Sequence, residues 1–297
     1  MKPQIQLFGV VQSRAFRCLW MLEELGLPYQ FIYAKPQSKQ VVQYNPLGKV
    51  PVLVIQQQQQ QNTPETDDTD DHTNDNNDKI KKDAADFVLY ESGAIVTYLG
   101  DKYRHHTPPL QNKNGNNNNE NKINSNRNNN NNSTLVPVAG TKERGLYDQT
   151  LSVLQTELDA QGLWIHRKHE AMGEYFTYIP AAVTHARKYF HKTNRMLGQQ
   201  LQKSAGPYLL GTQFTAVDIV YIQCLQWSTS IGWDDQWKDE PRMQHYVHLC
   251  QSRPAYQHVA AMQDVDYDVN DDDDAVSTTI PTTTVSDTAI KNSKSKL

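Results

Sequence analysis

One change of pattern limits what this chain can become. Up to Tyr103, apolar runs of strand length alternate with longer runs at helical spacing, whereas beyond an asparagine tract every apolar pattern is helical. Ile5 to Gly9 alternates apolar and polar residues into a glycine and predicts a strand. A helix is expected from Ser13, with Phe16, Leu19, Trp20 and Leu22 to Leu25 largely at helical spacing and Gly26 as its stop. Tyr29 to Tyr33 predicts a second strand, and the helical crossover between the two implies a parallel pair. Asn45-Pro46-Leu47-Gly48 is turn chemistry ahead of the strand Val52 to Ile55, and Phe87 to Tyr90 predicts a fourth strand before a helix from Ser92 to about Tyr103. The second half predicts helices at Glu143 to about Leu163, Ile179 to Leu201 and Val217 to Trp227, with a final pair within Pro241 to Met262.

Three stretches interrupt the pattern. Gln56 to Asp86 runs from glutamines into acidic and Asn-rich sequence, Asn112 to Ser133 is mostly asparagine, and Asp264 to Leu297 is an acidic cluster followed by a Ser/Thr-rich tail. Each holds too few large apolar residues to offset the entropy of ordering, so all three are expected to be disordered. About 210 of the 297 residues remain, enough for two modest domains. The expected division is an α/β domain over 1–104, with the insert 56–86 in a hairpin tip, an Asn-rich linker 105–140, an all-helical domain 141–263 and the tail 264–297. Loop-closure entropy grows only logarithmically with length, so a long hairpin insert is tolerated.

A formal net charge of -4 with no basic stripe gives no electrostatic case for a nucleic-acid partner. Cys18, Cys224 and Cys250 form no CxxC pair and no zinc-like spacing with histidine, so reduced thiols, no metal and a cytoplasmic setting are expected. The sequence shows neither an apolar leader nor a membrane-length apolar run, so no membrane partner is expected.

Leu89-Tyr90-Glu91-Ser92-Gly93-Ala94-Ile95 puts a carboxylate and a hydroxyl where a strand gives way to a helix. Unpaired N–H groups and the helix dipole favour an anion there, and Glu91 offers a counter-charge to an amine, so a ligand carrying both groups would suit the place. Taken alone, a Glu-Ser pair is more commonly an ordinary helix cap, with Ser92 capping the helix and Glu91 favouring its positive end. Thr215-Ala216-Val217-Asp218 has the form of a capping box and is expected to fix the start of a helix rather than to carry chemistry.

Ser13-Arg14-Ala15-Phe16-Arg17, Leu22 to Tyr29, Asn45 to Leu53, Tyr90 to Ile95, Tyr208 to Asp218 and Ser252-Arg253-Pro254-Ala255-Tyr256 together resemble, in order and spacing, the cytosolic glutathione transferases. The resemblance covers nearly all of the sequence outside the low-complexity stretches. It implies a thioredoxin-like glutathione-binding domain and an all-α substrate-binding domain in a two-fold homodimer. It also implies glutathione as co-substrate, no permanently bound cofactor, and a hydrophobic electrophile conjugated to the glutathione thiolate, the chemistry of detoxification. Carried onto this chain, it gives Glu91 and Ser92 the γ-glutamyl amine and carboxylate, and Lys49 the glycyl carboxylate. Val50-Pro51 becomes a cis bond whose exposed backbone pairs with the glutathione cysteine. A lysine in such a turn is otherwise simply solvated.

The chemistry needs a thiolate near neutral pH, and lowering a thiol pKa of about 8.5 by about two units takes roughly 2.7 kcal/mol. By resemblance to the serine-type members, Ser13 supplies that stabilisation as a hydroxyl donor at a helix start; as a bare sequence feature it also reads as a helix cap. Phe8 stands near the place where other members carry a tyrosine, and Cys18 lies five residues beyond Ser13, inside the helix. Arg14 departs from the proline often found at its position. Trp164, His166, His169 and Tyr175 are candidates for the second-substrate pocket, against a reading as a solvated helix end. Two other functions fit the same residues: a glutathione-dependent peroxidase or reductase, and a non-enzymatic binding or scaffold module.

Overall fold

The computed structural model describes residues 5–56, 86–104, 134–264 and 277–278. The disorder expected of the glutamine-led insert, the asparagine tract and the tail falls almost entirely outside these residues. Four strands stand where the sequence predicts them: β1 (Ile5–Gly9), β2 (Gln30–Tyr33), β3 (Val52–Ile55) and β4 (Phe87–Tyr90). β1 and β2 pair in parallel, and β3 runs antiparallel to both β1 and β4. A two-residue strand from the tail, β5 (Ser277–Thr278), pairs antiparallel with β2 and completes the order β4-β3-β1-β2-β5. Composition gives no sign of β5, because its bonds use backbone groups that almost every residue carries.

Side chains alternate across the sheet. Leu7, Phe31 and Leu53 face the main core, whereas Phe8, Ile32, Val52 and Val54 face a smaller cluster closed by Val41. Val41 belongs to α2 (Lys39–Val42), a single turn too short to leave a periodic signal. The other face is covered by α1 (Phe16–Leu25) and α3 (Ser92–Lys102). α1 is buried at every position but Glu23 and Glu24, since it lies between the sheet and the second domain, and Gly26 ends it at φ 60°.

The second domain is all helical. α4 (Lys142–Val153) widens into a π-helical stretch, Leu154–Leu163, then continues through α5 (Trp164–His166) and a further π-helical turn, Arg167–Ala171. The helix expected to end near Leu163 therefore runs about two turns further, to Ala171. α6 (Pro180–Lys203), α7 (Ala216–Ser230), α8 (Pro241–Gln251) and α9 (Pro254–Ala261) follow. The capping box forms as expected, with Asp218 accepting from the Thr215 N–H at 2.8 Å, and it also accepts from the Leu209 N–H and the Tyr246 hydroxyl. This is the thioredoxin-like plus all-α architecture anticipated for the chain. One apolar cluster runs through both domains, joining Leu7, Trp20 and Ile95 to Leu154, Ile222 and Tyr246.

Two details refine the expected boundaries. Residues 134–140, counted with the linker, include Val136, which is buried beside Gly100, and Leu135, whose carbonyl accepts from the Ala216 N–H at 2.8 Å. The Leu22-Glu23-Glu24 motif is explained by packing: Glu24 accepts two bonds of 2.6 Å from Arg253, whose guanidinium lies 4.0 Å from the Phe214 ring centroid, tying α1 to α9. No helix among the described residues is long and apolar enough to cross a membrane.

Candidate functional site

The turn after β1 is set by Gly9. A Cβ there would stand 2.7 Å from that of Ala15 and 3.7 Å from that of Val50, so the missing side chain lets the turn press against the loop before β3. Ser13 interrupts the helical turn Val11–Ala15 with an extended backbone, φ -103° and ψ -168°. Its hydroxyl accepts from the Ala15 N–H at 3.1 Å and donates to the Val10 carbonyl at 2.6 Å. The cap expected of Ser13 is thus formed, and its proton already has an acceptor.

The loop facing this turn is held by Asn45, whose side chain donates to the Lys49 carbonyl at 2.8 Å and accepts from the Leu47 N–H at 3.1 Å. Gly48 takes φ 62°, Lys49 is exposed, and the Val50–Pro51 bond is cis, as expected. Phe8 is buried against Tyr44 and brings no hydroxyl to the strand end.

Glu91 is exposed and sits at φ 72°, ψ 112°, a left-handed conformation that a side chain with a Cβ adopts only at a cost of about 1–3 kcal/mol. No side chain caps α3. The Ser92 hydroxyl, buried at 2% exposure, instead accepts from Arg17 at 3.3 Å, so the reading of this pair as an ordinary cap fails.

Arg17 connects the site to the second domain. Its buried guanidinium donates to Asp159 at 2.7 Å and to Gln223 at 2.6 Å, and Arg14 donates to both carboxylate oxygens of Asp159. Burial pushes the Asp159 carboxyl up, but the Arg17 and Arg14 charges outweigh it and hold it below the usual carboxylate range. The Arg14 guanidinium also lies 5.4 Å from the Trp164 ring centroid and 5.3 Å from that of Trp227.

The four candidates for the second-substrate pocket separate. Trp164 stands beside Arg14, one residue from Ser13. His166 turns inward against Trp233 and pairs with Glu170 at 3.2 Å, burial holding its pKa below the usual histidine range. His169 bonds the Thr177 carbonyl through Nδ1 at 2.8 Å, and Tyr175 is 75% exposed. A stretch rich in aromatic and cationic residues is a feature of composition, and the helix distributes it around its circumference.

Asp159 and Gln223 are absent from the residues singled out by sequence, and Gly9 and Arg17 stand there only as members of a strand and a motif, with no role of their own. An acid among Leu154, Leu158 and Leu163 was the available signal for Asp159. Its partner Arg17 lies 142 positions away, beyond the reach of any local pattern. Among the described residues no group of three or more His, Cys, Asp or Glu stands together as a metal site.

A thioredoxin-like sheet with a cis-proline loop and a strained acid at a helix start, docked through its first helix on an all-α domain, defines a two-domain protein of the glutathione transferase type. The family model for the glutathione S-transferase N-terminal domain matches residues 13–102, and that for the C-terminal domain matches 180–248. The chain belongs to the glutathione transferase superfamily. Similar solved structures include a glutathione transferase from Methylococcus capsulatus, at 20% identity and a TM-score of 0.58 over 87% of this chain and 98% of that one. Another is URE2P6 from Phanerochaete chrysosporium in complex with oxidized glutathione, at 19% identity and 0.59 over 88% and 96%. Poplar glutathione transferase F1 follows at 14% and 0.60 over 89% and 99%. No curated protein matches the chain.

Proposed function

We propose that the protein is a serine-type glutathione S-transferase of the cytoplasm, in which the Ser13 hydroxyl stabilises the glutathione thiolate for attack on an electrophilic carbon. The observation that carries this reading is Glu91. A carboxylate held in a strained backbone, beside a buried Ser92–Arg17 contact and at a helix start without a side-chain cap, is costly for the fold and suits a γ-glutamyl zwitterion. Glu91 meets the amine, Ser92 and the first-turn N–H groups meet the carboxylate, Val50 pairs with the cysteine backbone ahead of Pro51, and Lys49 meets the glycyl carboxylate.

For Ser13 to serve a thiolate, its hydroxyl must rotate away from the Val10 carbonyl while keeping the bond from the Ala15 N–H. An anionic acceptor forms the stronger hydrogen bond, which favours the exchange. The sulfur lone pair then forms the new carbon–sulfur bond as the leaving group departs with its electrons. Cys18, Cys224 and Cys250 are all buried, and burial pushes their thiols up, Cys224 to about 12, so none of them supplies a competing protein thiolate for disulfide exchange.

A homodimer accords with the surface formed by β4 and α3. Phe87 and Tyr90 are exposed there, Phe87 stacks on Tyr98 at 4.8 Å, and a groove of about 520 Å³ runs between Leu89 and Leu151. Retention on immobilised glutathione, followed by parallel assays with an aryl halide and an organic hydroperoxide, tests the proposal. Retention with faster aryl conjugation supports it; a dominant hydroperoxide activity favours the peroxidase reading, and failure to bind glutathione favours a scaffold.

A further inference from the structure

The wall next to Ser13 carries more positive charge than a pocket for neutral hydrophobic electrophiles needs. Arg14 and Arg17 share one carboxylate, that of Asp159. A third guanidinium, Arg167, lies 5.9 Å from the ring centroid of Trp227, the same indole that Arg14 overlies. Among the described residues Arg167 has neither an ion-pair nor a hydrogen-bond partner, and its side chain is exposed. Desolvation by the surrounding protein and, after it, the Arg14 charge hold its pKa below the usual arginine range. Glu170, three residues further along the chain, faces His166 at 3.2 Å. Trp164 and Trp227 are both partly exposed and supply flat apolar surface at the same place.

We propose that this site selects electrophiles with an anionic group on an aromatic frame, the indoles of Trp164 and Trp227 packing the ring and Arg167 meeting the anion. The proposal rests on the transferase reading for its chemistry, since Ser13 sets where the thiolate stands. A carboxylate or sulfonate gains a charge-assisted hydrogen bond to Arg167 that a neutral electrophile lacks. The positive field also draws such substrates toward the cleft.

The test pairs a chlorodinitrobenzoate with its methyl ester, each kcat/KM being divided by that substrate's own uncatalysed rate with glutathione. In parallel, tryptophan-fluorescence quenching measures binding of the chlorine-free dinitrobenzoate and its ester. The acid is expected to exceed the ester by about tenfold in both readouts. In Arg167→Gln the ratio should fall towards one, and Arg167→Lys should keep part of it. A ratio near one in the native protein, or a ratio unchanged by Arg167→Gln, overturns the proposal. If neither compound is conjugated yet the acid still binds tenfold more tightly through Arg167, the transferase reading fails and anion selection stands.

Discussion

Arg17 and Asp159 form a buried ion pair of 2.7 Å between the first helix of the α/β domain and the widened helix of the all-α domain. Their side chains are 1% and 3% exposed, and the same arginine reaches Ser92 and Gln223. Asp159 lies within the π-helical stretch, whose wider turn ends with the Trp164 N–H on the Asp159 carbonyl. The pair therefore ties the position of Ser92 to the packing of the second domain.

Removing one partner of such a pair leaves the other charged without compensation. Asp159→Ala is expected to lower stability by about 3–5 kcal/mol, read as a fall in the urea midpoint at constant slope. The pH dependence follows from the lowered carboxyl pKa. Stability from Asp159 is complete above its unfolded pKa of about 3.9 and is lost as pH falls through its lower folded value. The native protein should thus lose stability more steeply than Asp159→Ala on acidification below about pH 4.

Glu91→Gly separates fold from function. Glycine removes strain of about 1–3 kcal/mol at φ 72° and adds about 0.5–1 kcal/mol of chain entropy in the unfolded state. Thermal unfolding should show a fold no less stable than the native one, while retention on immobilised glutathione is lost. A variant that binds glutathione as before would remove Glu91 from the site.

Gly9→Ala should misplace Ser13 without touching it. The new Cβ meets Ala15 at 2.7 Å, so a loss of about 1–3 kcal/mol and reduced conjugation are expected. Ala15→Gly in the same chain should restore both, and additive losses in the double variant would disprove the contact.

Elements with a long period or a strong punctuation mark were legible in the sequence. α1 announced itself by apolar spacing and Gly26, and the start of α7 by the Thr215–Asp218 box. α2 and β5 were not, one being a single turn and the other two residues paired through the backbone. The same division runs through the site. Ser13, Val50-Pro51 and Glu91-Ser92 lie in local motifs, whereas Arg17–Asp159 exists only once two domains are packed, and His166 was separated from Trp164 by helix geometry.

The role of Ser13 is tested most directly by the pH titration of thiolate absorbance for glutathione bound to the native protein and to Ser13→Ala. Glutathione bound to the native protein should show a thiol pKa well below the free value of about 8.5, rising by one to two units (about 1.4–2.7 kcal/mol) in the variant. Loss of the cap to the Ala15 N–H adds about 1 kcal/mol of instability, measured separately by unfolding. An unchanged thiol pKa in a folded, glutathione-binding Ser13→Ala protein would show that the Ser13 hydroxyl does not stabilise the thiolate.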